Sequence, residues 1–281
     1  MRVFAGAALL LSLAWPSLAE AYCLSTTCKT TDACDGEEVP GCIPLKWKSR
    51  CVGFSVHELG GPNIDNGATD AIVELAFDAW RNVDCGDGQR PGIVIQNLGQ
   101  VECGAVEYNK SAGNANVVLF SSDWPHEEAS HTFALTTTTF DPETGELLNA
   151  DIELNARDHT FTISDDSITA DLLSILTHEV GHFLGIGHSQ STEATMFAFY
   201  AEGTTELRSV TDDDRNAMCT LYSPKSVDEA CNPLQRHGFS PYCRDDQPEG
   251  SCAAASRSRS SGGWLVLCAL LAGARRSRKR S

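Results

Sequence analysis

The segment His178-Glu179-Val180-Gly181-His182-Phe183-Leu184-Gly185-Ile186-Gly187-His188-Ser189 holds the residues whose types and spacing could do chemistry. On a helix that turns about 100° per residue, His178 and His182 differ by roughly 40° and stand one turn apart. Both imidazoles therefore reach a single point. Measured from Leu176, the apolar residues Leu172, Leu173, Leu176, Val180, Phe183 and Leu184 fall between about −40° and +80°. The two histidines fall near about 200° and 240°, across the helix from that stripe, and Glu179 lies about 60° beyond His182. A third ligand has to come from outside the helix, and His188 can supply it. Gly185 and Gly187 are read as the bend, because glycine reaches left-handed φ at little cost, ends the helix and turns the chain back. Three neutral imidazoles on a tetrahedral Zn²⁺ leave one position for water, the open arrangement of a catalytic site. Zinc lowers the pKa of such a water toward about 7, and Glu179 is placed to take its proton as general base. The product is a nucleophile for a polarised peptide carbonyl.

These residues need a helix and a framework to hold it. The apolar stripe predicts a helix capped at Ser167 or Thr169 and running to about Leu184, with Asp165, Asp166 and Asp171 at its N-terminal end. A second helix is expected over about Thr69–Val83, from Ile72, Val73, Ala76, Phe77 and Trp80 at helical spacing. A third begins near Thr211, with Asp212, Asp213 and Asp214 in its first turn, and ends about Leu221. Strands are read at Cys51–His57, Gly92–Leu98, Asn116–Phe120, Thr132–Phe140 and Asp151–Asn155. Strands with one helix among them, followed by two helices, indicate an α+β domain with a mixed sheet. The Thr-rich strand Thr132–Phe140 is a candidate edge on which an extended peptide could add a strand. Its polarity would equally guard an edge against aggregation.

Of the 281 residues, 42% are hydrophobic and 21% charged, enough for a packed core and against wholesale disorder. Residues 22–252 carry 13 basic against 37 acidic side chains, a net of −24. Such a surface repels phosphate backbones, so no nucleic acid partner is expected. Arg2, the apolar run Val3–Trp15 and Ala19-Glu20-Ala21 read as a secretory signal over 1–21, cleaved after Ala21. Export permits disulfides, and ten of the twelve cysteines lie between Cys23 and Cys243, an even number whose pairing the spacing leaves open. Residues 22–44 read as a Cys-rich lead-in stapled to the domain behind it, and whether it acts as a propeptide stays open. Residues 226–252 read as a Cys-containing stalk.

After Cys252 come a Ser/Arg spacer, the apolar run Gly262–Ala274 and a closing Arg/Lys cluster. That run is shorter than the ~20 residues a membrane crossing needs. The order resembles the MYXO-CTERM sorting tails of surface proteins. The resemblance implies processing at Cys252, transient membrane contact through residues 253–281, and a secreted or cell-surface destination. A degenerate anchor without processing is the alternative.

His178-Glu179-x-x-His182-x-x-Gly185-x-x-His188 is similar to the zinc motif of the metzincins, and Ser189 after it resembles the matrixin branch. Further matches run over residues 45–225, including Ala76-Phe77-Asp78-Ala79-Trp80 and Val210-Thr211-Asp212-Asp213-Asp214. The resemblance implies a metzincin-like catalytic domain acting on polypeptides, with a methionine turn beneath the metal. Met196 stands where that methionine is expected, as structural support. Tyr200 stands where the family builds a wall of the S1′ pocket, although the family's Pro two residues after the Met is Ala198 here. The family's cysteine switch has only Pro40-Gly41-Cys42-Ile43-Pro44 as a counterpart. Cys42 is expected in a disulfide instead. Calcium is a further possible cofactor, since Asp141, Glu143, Asp151 and Glu153 are hard oxygen donors near a turn. A solvated Asp-Pro turn accounts for the same residues. His126, His131 and His159 are scattered and form no recognisable structural zinc set. Besides the endopeptidase, a catalytically inactive binding or adhesion module and a zinc hydrolase of a non-protein amide remain open. The oligomeric state is not legible.

Overall fold

The computed structural model describes residues 21–28, 33–34, 37, 39–225 and 231–244. The processing site at Cys252, the sorting tail and all of the signal segment except Ala21 lie outside the described residues. In chain order the elements are β1 (Cys23–Leu24), β2 (Ala33–Cys34), β3 (Cys51–His57), α1 (Asn66–Arg81), β4 (Val94–Val101) and β5 (Val117–Ser121). They continue with β6 (Ala134–Phe140), β7 (Leu147–Asn155), β8 (Phe161–Thr162), β9 (Ala170–Asp171), α2 (Leu172–Phe183) and α3 (Asp212–Leu221). Five strands form one sheet in the order β4-β3-β5-β7-β6, parallel except for β6, which runs antiparallel to β7. This is the mixed sheet of a disulfide-stabilised α+β domain. The Thr-rich strand β6 is one of the two edges of this sheet, β4 being the other. No helix among the described residues is long and apolar enough to cross a membrane.

Helices α1 and α2 bury their apolar faces on the sheet. Phe54 of β3 stacks on Phe77 of α1 with ring centroids 3.8 Å apart, and Phe77 meets Phe183 of α2 edge-on. Side-chain donors tie α2 to its surroundings. The Trp80 indole donates to Thr177 O, Trp47 donates to Phe183 O, and the Tyr222 hydroxyl donates to Leu184 O, each at 2.8 Å. The last two satisfy carbonyls that a helix C-terminus leaves without partners.

The start of α2 differs from the sequence reading. Its cap is Asp171, whose carboxylate accepts from Ser174 N–H at 2.9 Å. Thr169 cannot cap it, because Ala170 and Asp171 form β9 and pair with β8. Ser167 sits earlier still, in a left-handed turn with φ +56°. Thr211 does cap α3, in a capping box closed by Asp214.

The described cysteines pair as Cys23–Cys34, Cys28–Cys42, Cys51–Cys231, Cys85–Cys219 and Cys103–Cys243. Cys42 is thus consumed in a disulfide, as parity suggested. The lead-in is stapled to itself and not to the domain behind it. It is joined to that domain by main-chain bonds, from Ser25 N–H to Gly185 O and from Gly187 N–H to Cys23 O. The span read as a stalk is docked over residues 231–244. Cys231 and Cys243 anchor it, Gly53 N–H donates to Pro233 O, and Phe239 pairs with Asn114. A Cys- and Pro-rich segment without a core of its own gains order by leaning on another surface.

Candidate active site

Helix α2 ends in a Schellman turn. Gly185 N–H donates to His182 O and Ile186 N–H to Gly181 O, both at 2.9 Å. Gly185 carries the left-handed φ of +93°, and a Cβ there would lie 2.2 Å from Leu45 O. Gly187 does not share that conformation, so the bend rests on one glycine and not on two. Gly187 instead gives its N–H to the lead-in. The turn returns His188 to the ring pair on α2.

The three imidazoles converge. Their ligand nitrogens lie within 4.8 Å of one another, and His182 Nε2 is 3.1 Å from His188 Nε2. Two nitrogens on one tetrahedral zinc at about 2.05 Å would stand about 3.3 Å apart, so the spacing fits that ion. The tautomers also fit. His178 Nδ1–H donates to Thr195 O at 2.7 Å and His182 Nδ1–H to Ile186 O at 2.9 Å, which leaves each Nε2 with a free lone pair. Burial and the neighbouring histidines hold His182 well below the ordinary histidine range, and the same causes bring His188 to about 4. Both are neutral donors at physiological pH.

Glu179 is 6% exposed and faces the same cavity as the rings. Burial raises its pKa, against the opposing influence of His178 and of hydrogen bonds from the Thr136 hydroxyl and main-chain N–H. The Thr136 hydroxyl lies 2.6 Å from Glu179 Oε2 and 3.1 Å from Glu179 O. The main-chain N–H of Thr136 also bears on this carboxylate.

Met196 is 1% exposed, and its sulfur packs against Gly181 of α2 so closely that a Cβ there would strike it. Its N–H and that of Thr195 both donate to the buried Asp214 carboxylate, at 3.0 and 2.8 Å. Asp213 receives the Ser189 hydroxyl at 2.6 Å and Ala21 N–H at 2.8 Å. A chain cut after Ala21 would lose the second of these. Tyr200 lines the cavity. Its hydroxyl accepts from Asp171 N–H and donates to Thr204 O, and its ring meets Phe133 edge-on. Asp171 in turn takes two bonds from Arg208, at 2.6 and 2.9 Å. The cavity is about 690 Å³ and runs from the histidines along β6, with Phe133, Ile175, Tyr200 and Leu207 in its walls.

Other expected sites come apart. Asp141 accepts from the N–H groups of Glu143 and Thr144 in its own turn, and Glu153 pairs with His126 at 2.8 Å. Asp151 is pushed up to about 8 by burial, against two backbone N–H donors. The four acids proposed as calcium ligands do not form a cluster among the described residues. His131 lines the cavity, whereas His159 packs on Phe133. Sequence reasoning missed Thr136, Asp171, Arg208 and Asp214. Two of them left a signal, Asp171 as an acid at a helix N-terminus and Asp214 as the acid three residues after Thr211. The reach of Asp214 back to residues 195 and 196 was invisible.

Three convergent histidines beside a buried carboxylate, on a disulfide-stabilised α+β domain, define a metzincin-like metallopeptidase domain. The matrixin family's profile matches residues 46–223, and the chain belongs to that family. Residues 46–223 are accordingly a zinc metalloendopeptidase domain. Among its relatives, Metalloendoproteinase 1-MMP of Arabidopsis thaliana is 35% identical over 95 residues, covering 30% of this chain and 26% of that protein. Matrix metalloproteinase-2 of Drosophila melanogaster is 31% identical over 185 residues, covering 64% and 21%. Matrix metalloproteinase-25 of Homo sapiens is 24% identical over 188 residues, covering 63% and 29%. The chain spans less than a third of the length of each of these relatives.

Proposed function

We propose that this protein is a secreted or surface-directed zinc endopeptidase that hydrolyses polypeptides held in extended form along β6. The single observation that carries the reading is the convergence of His178, His182 and His188 with Glu179 on one cavity that opens along a sheet edge. The histidines would hold the zinc, which when bound supplies Lewis-acid polarisation of a water and of the scissile carbonyl. Glu179 acts as general base through its carboxylate and then returns the proton to the departing amine. Burial raises its pKa, which suits a group that must both take and give a proton. The exposed main chain of β6 offers hydrogen bonds to an incoming strand, and Phe133, Tyr200 and Leu207 offer an apolar wall to one of its side chains. Export belongs to the same proposal, supported by five disulfides that need an oxidising compartment.

Glu179→Ala tests this. Casein or peptide cleavage should fall by about 10²–10⁴-fold while zinc, measured by atomic absorption, stays bound. A zinc-loaded wild type that cleaves no polypeptide sinks the endopeptidase. If it still binds one, the adhesion module takes its place.

A further inference from the structure

Thr136 lies in the middle of β6, and the period-two alternation of a strand puts it on one face with Ala134 and Thr138. All three line the cavity. Of the four consecutive threonines on this strand, Thr136 is the one whose hydroxyl reaches the carboxylate of Glu179. At 2.6 Å the contact has the length of a charge-assisted O–H···O⁻ bond, the stronger kind. Of the two carboxylate oxygens the hydroxyl engages Oε2, and the Thr136 main-chain N–H, which a side-chain substitution leaves in place, adds to the hold on this group. A glutamate has three side-chain torsions, and an unanchored one spreads over several rotamers. Anchoring one oxygen fixes the plane of the carboxylate and aims the other into the cleft.

We propose that Thr136 is a positioning residue: its hydroxyl pins Glu179 Oε2 so that Oε1 faces the scissile bond, and it ties the base to the strand on which substrate docks. This rests on the peptidase reading above. Threonine suits the task because its β-branch restricts χ1 in a strand, so the hydroxyl is aimed before any bond forms. Valine has the same shape and strand preference without the donor. Serine keeps the donor without the branch.

Thr136→Val should lower kcat by about 10–100-fold, the weight of a hydrogen bond to a charged group, with KM within about twofold of wild type. Zinc content should match wild type, and Thr136→Ser should restore most of kcat. A second readout needs no turnover. In urea unfolding, the effects of Thr136→Val and Glu179→Ala should be non-additive, as for two residues in contact. Additive effects overturn the proposal, as does a kcat loss that serine leaves unrestored or a loss carried by KM alone. If the wild type proves to have no peptidase activity, the function reading fails, and the unfolding cycle still decides the Thr136–Glu179 contact.

Discussion

The shell of the molecule and its catalytic hub are held by different means. The shell is covalent: two disulfides close the lead-in on itself, two fix residues 231–244, and Cys85–Cys219 secures α3. No cysteine lies between Cys103 and Cys219, the stretch that holds β6, α2 and every residue assigned to the site. There the ties are carboxylates, buried at Asp171 and Asp214 and half-buried at Asp213. Asp214 takes the N–H groups of Thr195 and Met196, Asp213 takes Ser189, and Asp171 takes Ser174 and Arg208. A disulfide brings two Cα atoms together but leaves the intervening peptide planes free. A carboxylate that accepts two successive N–H groups orients those planes, and with them the Thr195 carbonyl that sets the His178 tautomer. Cysteine in the hub would bring a further hazard, since a thiolate is itself a zinc ligand. Segments without a core are stapled, and segments that aim ligands are hydrogen-bonded.

The strongest challenge to that division is Asp214→Ala. It strands two buried N–H groups and opens the α3 capping box, which together should destabilise by about 4 kcal/mol in urea unfolding. Zinc affinity should fall with it, because Thr195 and Met196 lose their support beneath the rings. An unchanged zinc affinity would show that the hub does not depend on its carboxylates. Replacing Cys51 and Cys231 together by alanine should cost about 2–4 kcal/mol through the wider unfolded ensemble. Here kcat and zinc affinity, measured well below the melting temperature, should match wild type. A loss of metal binding in this variant would merge the two regions into one.

What was legible in the chain divides along the same line. Local periodicity found β3, α1, α2 and α3, because helix and strand faces repeat over neighbouring residues. The site was legible for a related reason: His178, Glu179 and His182 share a helix, and His188 comes shortly after its end. Asp171 shows where local reading stops. It was seen as an acid favouring a helix N-terminus, but not as the cap, because β9 claims the residues before it through a pairing with β8. Thr136 and Glu179 are 43 residues apart, and Asp214 reaches back 18 to Met196, separations that no local pattern reports. Four threonines in a row gave no clue to which one meets the base. The five disulfides were legible in number and not in pairing, since parity counts cysteines without placing them.

The finest test concerns how a carboxylate holds the hub as pH changes. Asp171 is fully buried, and burial alone would raise its pKa. The guanidinium of Arg208 and the Ser174 donors outweigh burial and hold it below the ordinary aspartate range. A carboxyl with a depressed folded pKa contributes stability above its unfolded pKa, about 3.9, and loses it as pH falls through the folded value. Arg208→Met removes the main opposing influence and leaves burial dominant, so the sign reverses and the ionised carboxylate now costs stability as pH rises. Arg208 is 27% exposed, so solvent screening limits the effect to about 1–2 kcal/mol at neutral pH. The melting-temperature gap between wild type and Arg208→Met should therefore be widest near neutrality and close toward about pH 3. Tyr200 keeps its bonds to Asp171 N–H and Thr204 O in this variant, so KM for peptides and zinc affinity should both stay near wild type. A gap that stays constant across that range would mean that Arg208 acts through packing and not through charge. The hub would then owe this corner to the same kind of steric fit that disulfides impose on the shell.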